Sequence, residues 1–333
     1  MTGRQGRGDG VLPRLVAAAA AATGLLVAAA VGWSLTSSAS QSSSASQPVL
    51  RVALPAGRFV LDGCGIAAIG LALLGWLVAG GRRRDVDAVL DAASRAAVVL
   101  AGVWAASAVL LLWLQAAEVT ARPLMALRVD AVAGYVCTFN SGGGLLVTVA
   151  AAVAYGVIAA VTRGRGWPEL PTVVALLGLL PAPLTGHASS ERDHELAVLS
   201  ITAHAGAAAI WVGGLGATLT LIAARRTLLA IALPRFSTIA AAALGTVAVS
   251  GVLTAAVRLG SVAPLVETGY GRVVLAKAAA FGVLGVLGWL VRRRVLPAIR
   301  DHRGAPLAVL AGIELTVMAV AVGLAAALTT SGR

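Results

Sequence analysis

Repeated apolar runs of about twenty residues constrain the fold of this chain more than any other feature of its sequence. They lie at about 15–36, 59–80, 96–117, 143–162, 171–186, 196–223, 237–258, 273–291 and 306–329. Each is close to the ~20 residues that an α-helix needs to cross a bilayer. Backbone polar groups in lipid must be satisfied within the segment, which favours helices. The sequence therefore predicts an all-α polytopic transmembrane helix bundle with about nine spans.

Composition supports a membrane protein and argues against a nucleic-acid-binding one. Of the 333 residues, 59% are hydrophobic and 12% are charged, whereas a soluble domain carries about 25% charged residues. The net charge of +12 comes from arginines in short segments between apolar runs. Such arginines are topology signals in membrane proteins. We therefore expect the lipid bilayer, and not nucleic acid, as the partner of this chain.

The distribution of arginines predicts the orientation of the bundle. If the N-terminus is inside, the inner loops hold 17 arginines and the outer loops and tail hold eight. Positive residues concentrate on the cytoplasmic side, so we predict an inner N-terminus and an outer C-terminus. The same reading divides the chain into a four-span half, 1–170, with a Ser-rich outer loop, and a five-span domain, 171–333.

One polar segment, residues 183–215, interrupts the apolar pattern near the predicted outer face. It holds His187, His194 and His204 beside an acidic cluster. Imidazole is a ligand for copper, zinc and iron, and ionisable groups inside a membrane mark candidate functional sites. Each histidine also has a simpler interpretation, which is helix packing for His204 and a solvated loop position for the other two.

The residues that follow His204 suggest helix packing. Trp211 lies seven positions later, on the same helix face, and Gly213 and Gly214 come next. Small residues allow helix backbones to approach closely in membranes. We expect these glycines to hold the two histidine-bearing helices together beneath the site.

A second group of residues places charge or sulfur inside predicted spans. Asp62 and Lys277 are at similar predicted depth near the outer face, so they could form an ion pair or belong to an ion path, and Glu314 lies in the last span. Cys64 and Cys137 are both predicted near the outer face. They could form a disulfide, donate to copper or do neither, because pairing cannot be read from sequence.

Several motifs in the second half of the chain resemble one known family. They are TGHA at 185–188, His204 followed by WVGGL, RFSTIAAAALGTVAVSGVLTA at 235–255 with a helix-breaking SG at 250–251, and ETGYGRVVLAKAAAF at 267–281. In this order they are similar to the copper resistance D (CopD) membrane domain, over about 183–330. The N-terminal half resembles it only in its general multi-span character.

The resemblance implies copper transport or delivery, usually uptake, in the cytoplasmic (inner) membrane of a bacterium. It implies metal ligation by His187 and His204, with His194 in a variable loop as a weaker candidate. It also implies a CopC-like soluble copper-binding partner, which would be a separate chain because the predicted outer loops are short.

Two other classes remain open. Two histidines on neighbouring spans could ligate haem b in an electron-transfer protein, or the chain could be an assembly factor that delivers copper to an oxidase. The sequence has no GxxxxGK[ST] phosphate-binding motif, so we expect no ATPase and only secondary or passive transport. We expect a transporter and not an enzyme, with an oxidoreductase as the alternative.

Overall fold

A computed structural model describes residues 48–163, 169–181, 194–259, 269–290 and 293. The predicted spans at 15–36 and 306–329 lie outside these residues, as do His187, His302 and Glu314.

The described residues form eight α-helices, with short 3₁₀ and π segments between some of them. They are α1 (Pro48–Leu77), α2 (Arg83–Thr120), α3 (Val129–Thr138), α4 (Asn140–Thr162), α5 (Glu169–Leu179), α6 (His194–Ala217), α7 (Arg226–Leu259) and α8 (Gly269–Leu290). A 3₁₀ turn, Leu124–Ala126, precedes α3, and a π turn, Thr218–Ile222, follows α6. The predicted all-helical fold is confirmed for this part of the chain.

Five segments of these helices are long and apolar enough to cross a membrane. They are Val52–Leu77, Arg83–Thr120, Asn140–Thr162, Val198–Ile222 and Arg226–Ala256. Each corresponds to a predicted span. The total of nine spans and the orientation of the bundle stay predictions.

Three helices begin earlier than their apolar runs do. α1 begins at Pro48, α2 at Arg83 and α7 at Arg226, each more than ten residues before the predicted span. Arginines that were predicted to lie in loops, among them Arg58 and Arg235, therefore lie inside helices. Hydropathy identifies only the apolar part of a helix. The backbone hydrogen bonds continue through charged turns, because long charged side chains can extend to polar surroundings.

The chain forms two compact units. The larger one contains residues 43–222 and 238–257, and so holds α1 to α6 and most of α7. The other unit includes 223–237, the first turns of α7, together with the described residues from 258 onward, which include α8.

Trp104 of α2 is the centre of the core of the larger unit. Its side chain is fully buried. It fills the space that two glycines leave open, because a Cβ on Gly65 of α1 would lie 3.2 Å from its Cζ2 and one on Gly178 of α5 would lie 2.7 Å from its Cη2. Large and small residues on facing helices thus fit together, as close packing between helices in lipid requires.

The closest approach in this unit joins α1 to α6. A Cβ added to Gly70 would overlap the carbonyl group of Gly213, and one added to Gly213 would overlap the carbonyl oxygen of Ile66. Only glycine fits at these two positions, because the backbones themselves are in contact. Gly213 thus packs α6 against α1. That it also joins the two histidine-bearing helices stays a prediction, because His187 lies outside the described residues.

The connection at 118–142 contains the short helix α3. Tyr135 of α3 donates to Gln115 Oε1 at 2.7 Å and lies 2.7 Å from Ser141 Oγ, so it links α3 to α2 and α4. Its ring stacks on Phe139, with 5.3 Å between the centroids. Burial is the main reason that the pKa of Tyr135 lies above its ordinary value.

The contact between α1 and α6 yields a stability prediction. We expect Gly213→Ala to lower the free energy of unfolding in detergent by about 1–3 kcal/mol, because the added methyl group forces two backbones apart. A denaturant titration followed by circular dichroism measures the change.

Gly216→Ala on the same helix is the matched control. A Cβ at Gly216 meets nothing within 4 Å, and alanine favours a helix over glycine by up to about 1 kcal/mol. Equal stability of the two variants would contradict the backbone contact.

Candidate functional site

His204 is held by a serine on the neighbouring long helix. Its Nδ1 lies 3.1 Å from Ser250 Oγ, across the interface of α6 and α7. Gly251 is next to the ring, since a Cβ there would lie 3.8 Å from His204 Cε1. This hydrogen bond to a hydroxyl is what the packing interpretation of His204 predicted, and it is also how a metal-ligating histidine is commonly oriented.

Two more hydroxyls hold the residue that contacts the imidazole. Ser200 Oγ donates to the Ser250 carbonyl at 2.8 Å and lies 3.0 Å from Thr254 Oγ1. Thr254 Oγ1 donates to the same carbonyl at 2.9 Å. Ser200, His204, Ser250 and Thr254 therefore form a polar cluster, which we call the α6–α7 cluster.

The SG pair at 250–251 does not break the helix as expected. α7 continues through it from Arg226 to Leu259. Ser250 bonds its hydroxyl to the Thr246 carbonyl one turn earlier, at 2.6 Å, a bond that serine commonly makes inside helices. Ser250 instead offers its hydroxyl to the side chain of His204.

The α6–α7 cluster was not identified from the sequence as a unit, although a signal for it exists. Thr246, Ser250 and Thr254 are four residues apart, and this spacing puts three hydroxyls on one helix face. Ser200 and His204 have the same spacing on α6. Matching hydroxyl patterns on two apolar runs indicate a polar seam between them.

The other predicted ligands are not brought to His204 by the described residues. His187 lies outside them. His194 is the first residue of α6, ten positions or about 15 Å before His204 along the helix axis, and its side chain lies outside the described set. In the part of the chain that the structure describes, no group of three or more His, Cys, Asp or Glu side chains could hold a metal ion.

Trp211 and Gly214 lie in the last two turns of α6. Trp211 is buried. The carbonyl of Gly214 accepts a hydrogen bond from Thr218 Oγ1 at 2.7 Å, at the start of the π turn that follows α6.

Asp62 lies near the midpoint of α1. The earlier start of the helix places it about 21 Å from Pro48 along the axis. Its Oδ2 accepts a hydrogen bond from Arg58 Nε at 3.1 Å, one turn away on the same helix. The structure thus pairs Asp62 with Arg58, where the sequence suggested Lys277, whose side chain is outside the described set.

Contacts through α5 place Asp62 and His204 at similar depth. A Cβ on Gly206 would lie 3.8 Å from Leu176 Cδ2, and one on Gly65 would lie 2.8 Å from Leu179 Cδ1. Gly206 and Gly65 are therefore level to within about one turn. Since Gly213 also meets Gly70, α1 and α6 run in the same direction.

His204 and Asp62 precede Gly206 and Gly65 by two and three residues. An imidazole and a carboxylate therefore occupy one layer of the bundle.

Both cysteines are free thiols in this structure. Cys64 is buried in α1, and Cys137 is exposed in α3. The disulfide alternative is therefore not realised. Neither thiol belongs to a metal-binding group among the residues that the structure describes.

The described helices form an apolar bundle, and the imidazole of His204 is hydrogen-bonded between two candidate membrane helices. The molecule is therefore a polytopic membrane protein with an internal polar site. Comparison with known sequences gives the family. Residues 49–195 match the N-terminal domain of copper resistance protein D-like proteins, and residues 230–328 match copper resistance protein D. The chain belongs to the copper resistance protein D family.

The family resemblance thus reaches the N-terminal half, where the sequence analysis found only a general multi-span pattern. His204 and the Trp-Val-Gly-Gly motif lie between the two matched ranges.

A curated relative carries the same association with copper. The chain is 30% identical over 172 residues to the copper transport protein CutJ of Bacillus subtilis (strain 168). The alignment covers 47% of this chain and 32% of that protein, so the chain spans about a third of the length of this relative. No solved structure is significantly similar to the chain.

The ion pair on α1 yields a double-variant prediction. We expect Arg58→Gln alone to destabilise the protein by about 1 kcal/mol, because it leaves the Asp62 carboxylate without its counter-charge inside a helix of membrane length. The side chains of Arg58 and Asp62 are each 39% exposed, which keeps the effect below that of a fully buried pair.

Arg58→Gln combined with Asp62→Asn removes both charges and should recover most of the loss. Denaturant titrations of the wild type, Arg58→Gln, Asp62→Asn and the double variant measure the coupling energy between the two side chains. Additive losses would contradict the pairing.

The exposure of the two thiols gives a labelling prediction. We expect a membrane-impermeant maleimide to label Cys137 and not Cys64 in non-reduced membranes, since only Cys137 is exposed. Loss of labelling in Cys137→Ser, with labelling retained in Cys64→Ser, identifies the thiol.

The same reagent tests the orientation of the bundle. Added to intact cells, it should reach Cys137 if the N-terminus is inside. Labelling of Cys137 only after the cells are opened would reverse the predicted topology.

Proposed function

We propose that this protein transports or delivers copper as its cargo, moving it from the extracytoplasmic side into or across the cytoplasmic membrane of a bacterium. The observation that carries the proposal is the position of His204. It lies inside a helix of membrane length, is held by a buried hydroxyl of a second such helix, and belongs to a chain of the copper resistance protein D family.

His204 would bind the copper ion through one imidazole nitrogen. Neutral imidazole is a good copper ligand that binds without adding charge to the bundle. We propose His187, near the predicted outer end of the preceding span, as a second ligand, and His194 as a weaker candidate. The polar segment between the two helices would then be the entrance for the metal.

Asp62 is a candidate for coupling or passage because it shares a layer with His204. A carboxylate at this depth can accept a proton or attract a cation, at a cost that an ion pair such as Arg58–Asp62 reduces. Lys277 and Glu314, further along the chain, remain proposals of the same kind. We propose no covalent chemistry for the protein, and hence a transporter and not an enzyme.

Two further elements of the proposal concern partners and organisation. We propose that the chain is divided at 170/171 into an N-terminal four-span half and a CopD-like five-span domain. A CopC-like soluble protein would supply copper from outside, as the family resemblance implies.

Metal analysis and an absorption spectrum of the detergent-purified protein test the proposal. We expect wild-type protein to bind copper without a Soret band, and His187→Ala/His204→Ala to lose the copper, because no other described group replaces the imidazoles. His302→Ala is the matched control and should keep it, since His302 lies in a basic segment far along the chain.

The other outcomes separate the alternatives. A Soret band in the wild type that is lost in the double variant would identify haem b, and not copper, as the group that the histidines bind. Copper bound equally by all three proteins would remove both histidines from the site. Absence of metal from the wild type, together with a stable complex with an oxidase, would favour an assembly factor.

A further inference from the structure

The hydroxyl of Ser250 has more neighbours than it can donate to. Its Oγ lies 2.6 Å from the Thr246 carbonyl, 3.2 Å from the Val247 carbonyl and 3.1 Å from His204 Nδ1. A serine hydroxyl has one hydrogen and two lone pairs. Carbonyl oxygens can only accept, so the shortest of these contacts uses the hydrogen. Ser250 Oγ therefore faces the imidazole as an acceptor.

The tautomer of His204 follows from this assignment. If Ser250 accepts, then His204 Nδ1 must carry the proton that is shared between them. We propose that Ser250 is a positioning residue, which holds neutral His204 with its proton on Nδ1 so that the Nε2 lone pair is the one that meets the copper ion. The metal-binding half of this statement rests on the proposed function, whereas the tautomer does not.

The rest of the α6–α7 cluster keeps Ser250 in place. Its carbonyl accepts from Ser200 and Thr254, and it is only 3% exposed. Burial keeps water from replacing the serine as the acceptor for the imidazole N–H. Gly251 lies beside the ring, since a Cβ there would be at ordinary contact distance, 3.8 Å, from His204 Cε1.

The chemistry of the acceptor suits a cargo site. Histidines that ligate metals usually donate their other N–H to an oxygen, which fixes the ring and raises the basicity of the ligating nitrogen. A carboxylate does this strongly, while a neutral hydroxyl does it less. A serine at this position therefore orients the ligand without holding the ion too tightly to release it.

Nitrogen NMR of histidine-labelled protein reads the tautomer directly. The protein is purified without a histidine tag and without copper, at a pH where the imidazole is neutral. Loss of one set of signals in His204→Gln identifies the residue. We expect the proton on Nδ1 in the wild type, and Nε2–H or a mixture of the two tautomers in Ser250→Ala.

Two variants separate the hydroxyl from the fold. Thr254→Ala is the matched control, because it removes a hydroxyl that bonds to Ser250 while leaving the Ser250 side chain in place, and it should keep Nδ1–H. Ser250→Thr retains the hydroxyl and should also keep it. In copper titrations we expect binding about tenfold weaker for Ser250→Ala and unchanged for Ser250→Thr.

Three results would overturn the proposal or its parts. If the proton of wild-type His204 is on Nε2, the proposal is wrong, regardless of how the variants fold. An unchanged Nδ1–H tautomer in Ser250→Ala means that another group sets it. Wild-type protein that has Nδ1–H but binds no copper overturns the proposed function and the ligand role together, and leaves only the hydrogen bond.

Discussion

The contact between the backbones of α1 and α6 sets the geometry on which the rest of the larger unit depends. Apolar side chains gain nothing by leaving lipid for one another, so helices in a membrane are held by close packing and by hydrogen bonds. At Gly70 and Gly213 the two helices approach until their main chains touch. That approach fixes the direction and depth of α6 relative to α1. It thereby puts His204 in the layer of Asp62 and leaves another face of α6 for α7.

Side-chain hydroxyls connect the helices where backbones do not touch. Thr148 bonds to the Gly178 carbonyl and Tyr155 to the Ala68 carbonyl, each joining two helices. The α6–α7 cluster follows the same rule and adds an imidazole to it. Because each hydroxyl can bond to a carbonyl within reach, such polar residues cost little in lipid. His204 is thus placed by ordinary helix-joining bonds, and these same bonds determine which of its nitrogens carries the proton.

The sequence predicted the helices of the described region better than their ends. Apolar runs identified the spans, since hydropathy over some twenty residues is a strong signal. The ends were misplaced because Arg83 and Arg226 begin helices that the pattern placed later. Pro55 and Pro234 lie inside helices, so proline alone does not mark helix ends here. Serine and glycine at 250–251 were read as a break, whereas the hydroxyl bonds within its own helix and toward a histidine.

The sequence by itself determined that the chain is helical and membrane-spanning, and that His204 shares one helix with Trp211 and Gly213. These properties depend on composition and on the 3.6-residue period, which are local. Tertiary structure alone decided that Gly213 meets Gly70, that Asp62 pairs with Arg58, and that Ser250 holds His204 from 46 residues away. The described spans are apolar over most of their length, so hydrophobicity alone cannot choose a neighbour. Shape complementarity and the partners of a few polar atoms make that choice, and both exist only once the helices have packed.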